Sequence, residues 1–112
     1  MSGISTHVLD LSTGKPAVGV RVRLERAEDG GFTTISEEAT NVDGRAADLL
    51  GGEALRAVAY RLTFVIGPYF VARGLPVFYP EAQVLFVVSD AVRHHHIPLL
   101  LSPFGYSTYR GS

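Results

Sequence analysis

Hydrophobic and polar residues alternate along most of this chain with a period of two, which is the pattern of half-buried β-strands. Residues 18–26 show it most clearly, because three aliphatic side chains fall on one face and three charged side chains fall on the other. The same criterion predicts strands at residues 4–10, 18–26, 32–38, 58–66, 84–89, 94–101 and 106–109.

Turn-forming residues separate these strands and leave few stretches for helices. Gly, Pro and Asp cluster between the strands, as in Thr-Gly-Lys-Pro at 13–16 and Asp-Gly at 43–44. Short strands at this spacing predict an antiparallel β-sandwich. Two helices are predicted: residues 68–73, with Pro68 at the first helical position, and residues 46–55, a pattern that two glycines interrupt.

The composition indicates one globular domain without thiol chemistry. A chain of 112 residues has a common size for one domain, so we expect residues 1–112 to form a single domain. The absence of cysteine excludes disulfides, thiolate metal sites and cysteine nucleophiles, and it fits a reducing compartment. Ten basic and eleven acidic residues give a net charge of -1, so no nucleic-acid partner is predicted.

No segment predicts a membrane location. No apolar run approaches the roughly 18–20 residues that a membrane span requires. The N-terminal residues, Met1 to His7, have neither the basic nor the apolar segment of a secretory signal. We therefore expect a cytoplasmic protein with no membrane partner.

Four histidines occupy two of the predicted strands. His7 lies within the first strand, and His94, His95 and His96 begin a strand that continues as Ile-Pro-Leu-Leu-Leu. Period two puts His95 on the same face as the aliphatic side chains that are expected in the core. His94 and His96 are therefore predicted to project from the outer face of the sheet.

Two further features contribute polar groups outside the strands. Asp43-Gly44-Arg45 predicts a tight turn that presents an arginine. The C-terminal segment, Tyr-Arg-Gly-Ser at residues 109–112, is rich in hydrogen-bond donors. Either feature alone is also compatible with a solvated turn or a frayed terminus.

Sequence patterns of several common catalytic centres are absent. The chain contains no Gly-x-Ser-x-Gly, no phosphate-binding glycine-rich loop with Lys-Ser/Thr, and no His-Glu-x-x-His. Two histidines on one strand face with a third nearby could bind zinc and activate water, so a zinc hydrolase is one interpretation. A purely structural sandwich module is another.

Six segments between residues 7 and 112 match one family when they are taken together. They are His-Val-Leu-Asp (7–10), Thr-Gly-Lys-Pro-Ala (13–17), Asp-Gly-Arg (43–45), Phe-Tyr-Pro-Glu (78–81), His-x-His-x-Pro-Leu-Leu-Leu-Ser-Pro (94–103) and Gly-Tyr-Ser-Thr-Tyr-Arg-Gly-Ser (105–112). In this combination the chain resembles the transthyretin-like 5-hydroxyisourate hydrolases of urate degradation. One departure is His95, where many relatives have tyrosine, and we expect this side chain to face away from the site.

The resemblance implies an all-β, prealbumin/transthyretin-like β-sandwich of two four-stranded sheets with one short helix. It also implies a homotetramer that is built as a dimer of dimers around a channel. No cofactor and no metal are implied. The family's catalytic positions fall on four residues of this chain, and three more belong to its substrate-binding terminal motif. The catalytic positions are His7, Arg45, His96 and Ser112, and the substrate-binding positions are Tyr109, Arg110 and Gly111.

The reaction that the resemblance implies is hydrolytic ring opening of 5-hydroxyisourate to 2-oxo-4-hydroxy-4-carboxy-5-ureidoimidazoline, without a covalent intermediate. His96 and His7 are expected to deprotonate and orient the attacking water. Arg45 is expected to anchor the substrate's oxygens and stabilise the oxyanion, and Ser112 to hydrogen-bond the substrate or the water. Which histidine is the base, and what His94 does, stay open.

A non-catalytic small-molecule carrier is the main alternative. The transthyretin hormone carriers share the implied fold, and a fold alone does not fix a function. They lack the active-site histidines and the terminal Tyr-Arg-Gly-Ser, both of which are present here. The resemblance therefore favours the hydrolase over the carrier.

Overall fold

Ten strands and one short helix make up the computed structural model of the protein, which describes residues 3–112. Met1 and Ser2, which begin the segment inspected for a secretory signal, lie outside the described residues. In chain order the elements are β1 (Ile4–Asp10), β2 (Lys15–Pro16), β3 (Arg21–Glu28), β4 (Gly31–Ala39), β5 (Arg45–Ala46), β6 (Ala59–Val65), α1 (Gly67–Val71), β7 (Glu81–Val87), β8 (His95–His96), β9 (Leu99–Ser102) and β10 (Gly105–Thr108).

The strands form two sheets. One has the order β4-β3-β6-β7 and is antiparallel throughout. The other follows the path β10-β9-β1-β2, and the two-residue strands β5 and β8 pair with further parts of β1. The predicted all-β sandwich of two sheets with one short helix is confirmed. Strands β5 and β8, of two residues each, join the sheet β10-β9-β1-β2, which therefore has six strands.

The prediction of an antiparallel sandwich is wrong at β1. Both β8 and β9 run parallel to β1, with Ile4 opposite His95 and Val8 opposite Leu99. A period of two tells which face a side chain occupies, but it does not tell which strand lies alongside. Between β1 and β9 the chain passes through the other sheet, so it is free to return in the same direction.

The core lies between the two sheets and contains side chains from both. Val22 and Leu24 of β3 belong to the same fully buried cluster as Leu99 and Leu101 of β9. Burial of an aliphatic side chain stabilises a fold by about 1.5–3 kcal/mol. The faces that alternation predicted for these strands are confirmed.

The predicted strand at residues 94–101 is divided into β8 and β9 at Ile97 and Pro98. Proline has no N–H for a ladder hydrogen bond, so continuous pairing stops there. Ile97 nevertheless stays buried and donates its N–H to the carbonyl of Ser5 at 2.9 Å. The segment therefore keeps its alignment with β1 across the interruption.

One of the two predicted helices is present. Residues 68–73 were expected to be helical, and α1 spans Gly67–Val71 with Pro68 in its first turn. The helix predicted at 46–55 is wrong, because Ala46 belongs to β5 and residues 47–55 form loops and turns. Gly51 and Gly52 have φ angles of 58° and 96°, which lie in the left-handed region that ends helices.

A buried hydrogen-bond cluster holds the end of β1 against α1. The hydroxyl of Tyr69 donates to Asp10 Oδ2 at 2.7 Å, and the backbone N–H of Ser12 donates to Asp10 Oδ1 at 2.9 Å. Burial, and then the hydrogen bond to Asp10, raise the pKa of Tyr69 to about 12. The aspartate of the His-Val-Leu-Asp segment is therefore a structural anchor for β1, the strand that carries His7.

Candidate active site

The candidate site is assembled on both edges of β1. On one edge His7 lies directly opposite Arg45 of β5, and on the other Ser5 lies opposite His96 of β8. Ser5 and His7 are two positions apart in one strand, so both side chains project from the same face. Directly opposite residues of paired strands have close side chains. The strand register therefore brings together residues from three distant parts of the sequence.

The turn before β5 places Arg45 beside His7. Gly44 has a φ of 73°, and a Cβ added there would lie 2.6 Å from the backbone oxygen of Val8. The side-chain oxygen of Asn41 accepts a hydrogen bond from the N–H of Arg45 at 3.0 Å. Glycine is required at residue 44 by both its conformation and its contact with β1. The predicted Asp-Gly-Arg turn thus holds Arg45 at the edge of β1.

The C-terminal segment is held against His96. The N–H of Gly111 donates to the backbone oxygen of His96 at 2.8 Å, which forms an isolated β-bridge. A Cβ on Gly111 would lie 2.7 Å from Cδ2 of the His96 ring. The lack of a side chain at Gly111 therefore lets the terminal segment pass over the imidazole and places Ser112 at the pocket.

Replacing Gly111 with alanine should displace the His96 ring and lower turnover of the expected substrate, 5-hydroxyisourate. A shift of about 1 Å in a reacting group can cost about 10²-fold in rate, so we expect a kcat loss of up to that size. Gly105→Ala is the matched control, because its Cβ would meet only Ser102 Oγ, at 3.8 Å. Steady-state kinetics and thermal unfolding of both variants check this, and equal kcat values for the two would contradict it.

The side chain of Ser5 connects two of the histidines. Its Oγ lies 2.8 Å from Nδ1 of His96 and 2.7 Å from Nε2 of His94. Ser5 is buried, whereas His96 is half-buried and His94 is exposed. The three side chains form a continuous hydrogen-bonded row that begins at the half-buried imidazole and ends at the exposed one.

A pocket of about 390 Å³ opens over this row. Its volume falls within the range of small-molecule sites, about 300–1,000 Å³. Arg45 offers several hydrogen-bond donors to this pocket, so the pocket suits ligands with anionic or carbonyl oxygens. The lining residues are Ser5, Thr6, Arg45, Ala47, His94, His96 and Ser112.

The pKa of His96 lies below its ordinary value of 6.5. Burial is the main cause, because the half-buried ring loses part of the water that would stabilise its cation. Positive charge on Arg45, His7 and His94 lowers the pKa further. At neutral pH the His96 imidazole is therefore unprotonated and able to accept a proton.

The structure brings together most of the residues predicted for catalysis. Arg45, His96 and Ser112 line one pocket, and His7 lies next to Arg45. Chemically, the arrangement offers imidazole bases, a guanidinium that can bind oxygens, and a terminal serine. It can activate water next to an electron-poor carbonyl group.

Two of the three residues predicted to bind substrate line the groove next to this pocket. Tyr109 and Arg110 are exposed and line an adjacent groove along β7, which shares His96 with the pocket that contains Arg45. Only Gly111 contacts the site, through His96. Within one chain, therefore, the structure does not place Tyr109 and Arg110 in the pocket that contains Arg45.

His95 faces away from the pocket. Its side chain is buried on the core side, and its Nδ1 lies 3.0 Å from the backbone oxygen of Arg93. Burial is the main cause of a lowered pKa for this ring. The alternation of the three histidines is thus as predicted, with His94 and His96 outside and His95 inside.

The zinc interpretation finds no set of ligands in the described part of the chain. Among residues 3–112, no three His, Cys, Asp or Glu side chains are placed to hold a metal ion.

No helix within these residues is both long and apolar enough to cross a membrane.

Sequence reasoning missed Ser5, Thr6 and Ala47 as pocket residues. Ser5 is two positions before His7, so alternation places it on the face of the site. A serine in a strand gives no functional signal of its own. Its importance becomes visible only once β8 is known to lie parallel to β1.

The two-sheet sandwich and its basic outer pocket define a small-molecule-binding β-sandwich protein with groups for acid–base chemistry. The chain matches the HIUase/Transthyretin family over residues 4–111, and it belongs to that family.

Three similar proteins illustrate the range of this family. A 5-hydroxyisourate hydrolase of Caulobacter vibrioides is 49% identical over 116 residues, which covers 100% of both chains. The solved structure of Klebsiella pneumoniae 5-hydroxyisourate hydrolase has a TM-score of 0.87 at 42% identity and also covers 100% of both chains. Sea bream transthyretin, solved with thyroxine, has a TM-score of 0.89 at 31% identity over 96% of this chain and 93% of its own.

Proposed function

We propose that this protein is a 5-hydroxyisourate hydrolase, which opens the ring of 5-hydroxyisourate in urate degradation. The observation that carries the proposal is the convergence of His96, Arg45 and Ser112 in one pocket with His7 beside them. The hydrolases of Caulobacter vibrioides and Klebsiella pneumoniae, which are similar over their whole length, support the same substrate. The product is 2-oxo-4-hydroxy-4-carboxy-5-ureidoimidazoline.

In the proposed reaction His96 takes a proton from water, and the resulting hydroxide attacks the ring carbonyl. His7 orients the water together with His96. The guanidinium of Arg45 binds the carbonyl oxygen as it becomes an oxyanion, a task that suits its rigid set of donors. Ser112 hydrogen-bonds the substrate or the water, and Gly111 gives the terminal segment its path over His96. The reaction uses no covalent intermediate, cofactor or metal.

The proposal is tested by generating 5-hydroxyisourate in situ with urate oxidase and following its ultraviolet absorbance. The decay is recorded with and without this protein, and with and without a chelator. Faster decay that is insensitive to chelator supports a cofactor-free hydrolase. Faster decay that chelator abolishes would instead support the zinc interpretation.

The acid limb of the pH–rate profile should lie below the ordinary histidine pKa of 6.5, because the pKa of His96 is lowered. A general base acts in its unprotonated form, so kcat/KM should be constant near neutral pH. It should fall as pH drops through the lowered pKa and the ring becomes charged. Measurement of kcat/KM between about pH 5 and pH 8 checks this. An inflection above 6.5 would contradict His96 as the base.

A carrier function is the second candidate, and the likeness to sea bream transthyretin with bound thyroxine favours it. A carrier would bind a planar ligand without consuming it. Unchanged decay of 5-hydroxyisourate in the presence of a folded protein, combined with saturable ligand binding in calorimetry, would support the carrier over the hydrolase.

We also propose a homotetramer, built as a dimer of dimers. Strands β7 and β10 are at the ends of the two sheet paths, so each leaves backbone groups unpaired within one chain. Near these edges Leu85 is 64% exposed, Phe78 62% and Phe104 66%. Exposed apolar side chains beside open strand edges favour pairing with another copy. Sedimentation equilibrium over a concentration series tests the assembly.

Two further parts of the proposal concern the chain and its location. We propose that residues 1–112 act as one hydrolase domain and that the protein works in the cytoplasm. The absence of cysteine is compatible with a reducing compartment. Limited proteolysis tests the single domain, and cell fractionation tests the location.

A further inference from the structure

The side chains of His96, Ser5 and His94 form a hydrogen-bonded row along which a proton can be transferred. Ser5 Oγ lies 2.8 Å from His96 Nδ1 and 2.7 Å from His94 Nε2. Both distances are typical of strong hydrogen bonds. Gly3 lies next to the His94 ring, since a Cβ there would lie 3.1 Å from His94 Nδ1. Ser5 Oγ is therefore within hydrogen-bonding distance of both rings.

A serine hydroxyl has one proton, so it can donate to only one of two imidazoles. It must accept a hydrogen bond from the other. When both rings are neutral, one of the two nitrogens that face Ser5 carries a proton and the other does not. The tautomers of His94 and His96 are thus coupled through Ser5.

Only one tautomer of His96 fits the role of a base at Nε2. Nδ1 is the ring nitrogen that lies beside Ser5 Oγ, at 2.8 Å. A neutral imidazole carries one ring proton, so Nε2 can accept a proton from water only when Nδ1 carries that proton and donates it to Ser5. Nε2 of His96 makes no hydrogen bond with any group of residues 3–112. It is therefore the nitrogen left to act on a ligand.

Charge is better tolerated on His94 than on His96. Arg45 of β5 and His7 of β1 act on His96, and burial further disfavours a cation there. His94 is exposed at the other end of the row, where water can solvate a cation. Ser112 also lines this pocket. Transfer of a proton from His96 to His94 therefore moves positive charge from the half-buried ring to the exposed one.

We propose that Ser5 and His94 form a proton relay that holds His96 in its base tautomer and stores the proton that His96 takes from water. The inference rests on the proposed hydrolysis. Water gives a proton to His96 Nε2 while its hydroxide adds to the substrate carbonyl. His96 passes its Nδ1 proton to Ser5 Oγ, and Ser5 passes its own hydroxyl proton to His94 Nε2. His94 becomes the cation and His96 stays neutral.

The relay then runs in reverse. His96 donates its Nε2 proton to the leaving ring nitrogen as the carbon–nitrogen bond breaks. Ser5 returns a proton to His96 Nδ1, and His94 returns one to Ser5. The proton taken from water thus ends on the released nitrogen, and all three residues regain their starting state. Of these three residues only His96 touches the reacting atoms, so Ser5 and His94 are positioning residues that act through it.

Imidazole NMR tests the relay without any turnover. In protein labelled with ¹⁵N-histidine, we expect His96 to give the signature of a ring protonated at Nδ1 and unprotonated at Nε2. Ser5→Ala should shift His96 toward the Nε2-protonated tautomer, whereas Ser5→Thr, which keeps the hydroxyl, should not. Ser102→Ala is the matched control, because its hydroxyl bonds Gly105 at the opposite end of β9. An Nε2-protonated His96 in the wild type, or no change in Ser5→Ala, would overturn the proposal.

Kinetics test the second half of the relay. His94→Ala and Ser5→Ala should each lower kcat at least about tenfold with little change in KM, a part of the ~10²–10⁴ that a positioned base contributes. Ser5→Thr should restore kcat, and added imidazole should partly restore His94→Ala. Because His94 is exposed, its variant is expected to fold. Wild-type kcat in His94→Ala, or an acyl adduct on Ser5 in mass spectrometry, would overturn the relay.

Failure of the relay can be distinguished from failure of the proposed function. If the wild type leaves 5-hydroxyisourate unchanged, the hydrolase proposal fails, and so does the proposed role of the relay in kcat. The imidazole NMR experiment still decides whether Ser5 fixes the His96 tautomer. If the wild type is active and both variants keep full kcat, the hydrolase proposal stands and the relay is wrong.

Discussion

Replacing His96 with alanine should lower kcat for 5-hydroxyisourate by about 10²–10⁴-fold, the contribution of a well-placed general base. His96 lines the pocket with Arg45, and its lowered pKa keeps the ring unprotonated at neutral pH. The protein should still fold, because the half-buried ring lies outside the core cluster. The in situ absorbance assay measures kcat, and circular dichroism measures the melting temperature.

His96→Asn separates loss of the base from loss of structure. The asparagine amide can occupy the position of Nδ1 and keep a hydrogen bond to Ser5, but it cannot take a proton from water at the position of Nε2. We expect the same loss of kcat as in the alanine variant, with a melting temperature closer to that of the wild type. A kcat within about threefold of wild type in both variants would remove His96 from the role of base, since a base is worth far more.

The architecture of the fold could be predicted because burial imposes a period of two on each strand. Val22 and Leu24 are fully buried while Arg21 is exposed, as their alternation indicates. The same logic separated His95 from its two neighbours. Face assignments depend only on positions within one strand, so they need no knowledge of the partner strands.

The neighbours of each strand could not be predicted in this way. Parallel pairing of β1 with β8 places Ser5 opposite His96, which is 91 positions away in the chain. Nothing in the local pattern near residue 5 encodes that contact, because it depends on the path of the chain through the second sheet. The serine was therefore missed, although it touches two of the predicted histidines.

Short local signals explain the remaining errors. The turns at residues 13–16 and 43–45 were predicted, yet each also contributes a two-residue strand next to β1. Residues 46–55 contain Ala, Leu and Glu, which favour helices in isolation. Their backbone follows the sheet instead, where the N–H of Leu49 donates to the carbonyl of Ile4 at 3.1 Å. Tertiary contacts outweigh helix propensity in so short a segment.

The terminal motif was predicted as a unit, and within one chain its residues lie along two adjacent pockets that share His96. Gly111 lies against His96 and Ser112 lines the pocket, whereas Tyr109 and Arg110 lie in the groove along β7. Strand β10 ends at Thr108, so the alternation that fixes side-chain directions ends there too. The direction of each later side chain then depends on individual contacts, such as that of Gly111 with His96.

Arg45 is the arginine that the structure presents to the pocket, and its position depends on β1. The turn at Gly44 packs against Val8, and β5 pairs Arg45 with His7. Among the lining residues it is the only one that always carries a positive charge and offers several donors in one plane. These properties make it the group that can bind a developing oxyanion.

Arg45→Ala should therefore lower kcat by about 10²–10³-fold, the effect of removing a donor to an oxyanion. Arg45→Lys should recover part of the loss, since it restores the charge but not the planar set of donors. Arg21→Ala is the matched control, because Arg21 lies on the other sheet in an exposed ion pair with Glu37, and it should keep wild-type kcat. Steady-state kinetics on the three variants checks this. Equal kcat for Arg45→Ala and Arg21→Ala would mean that the oxyanion is stabilised by other groups.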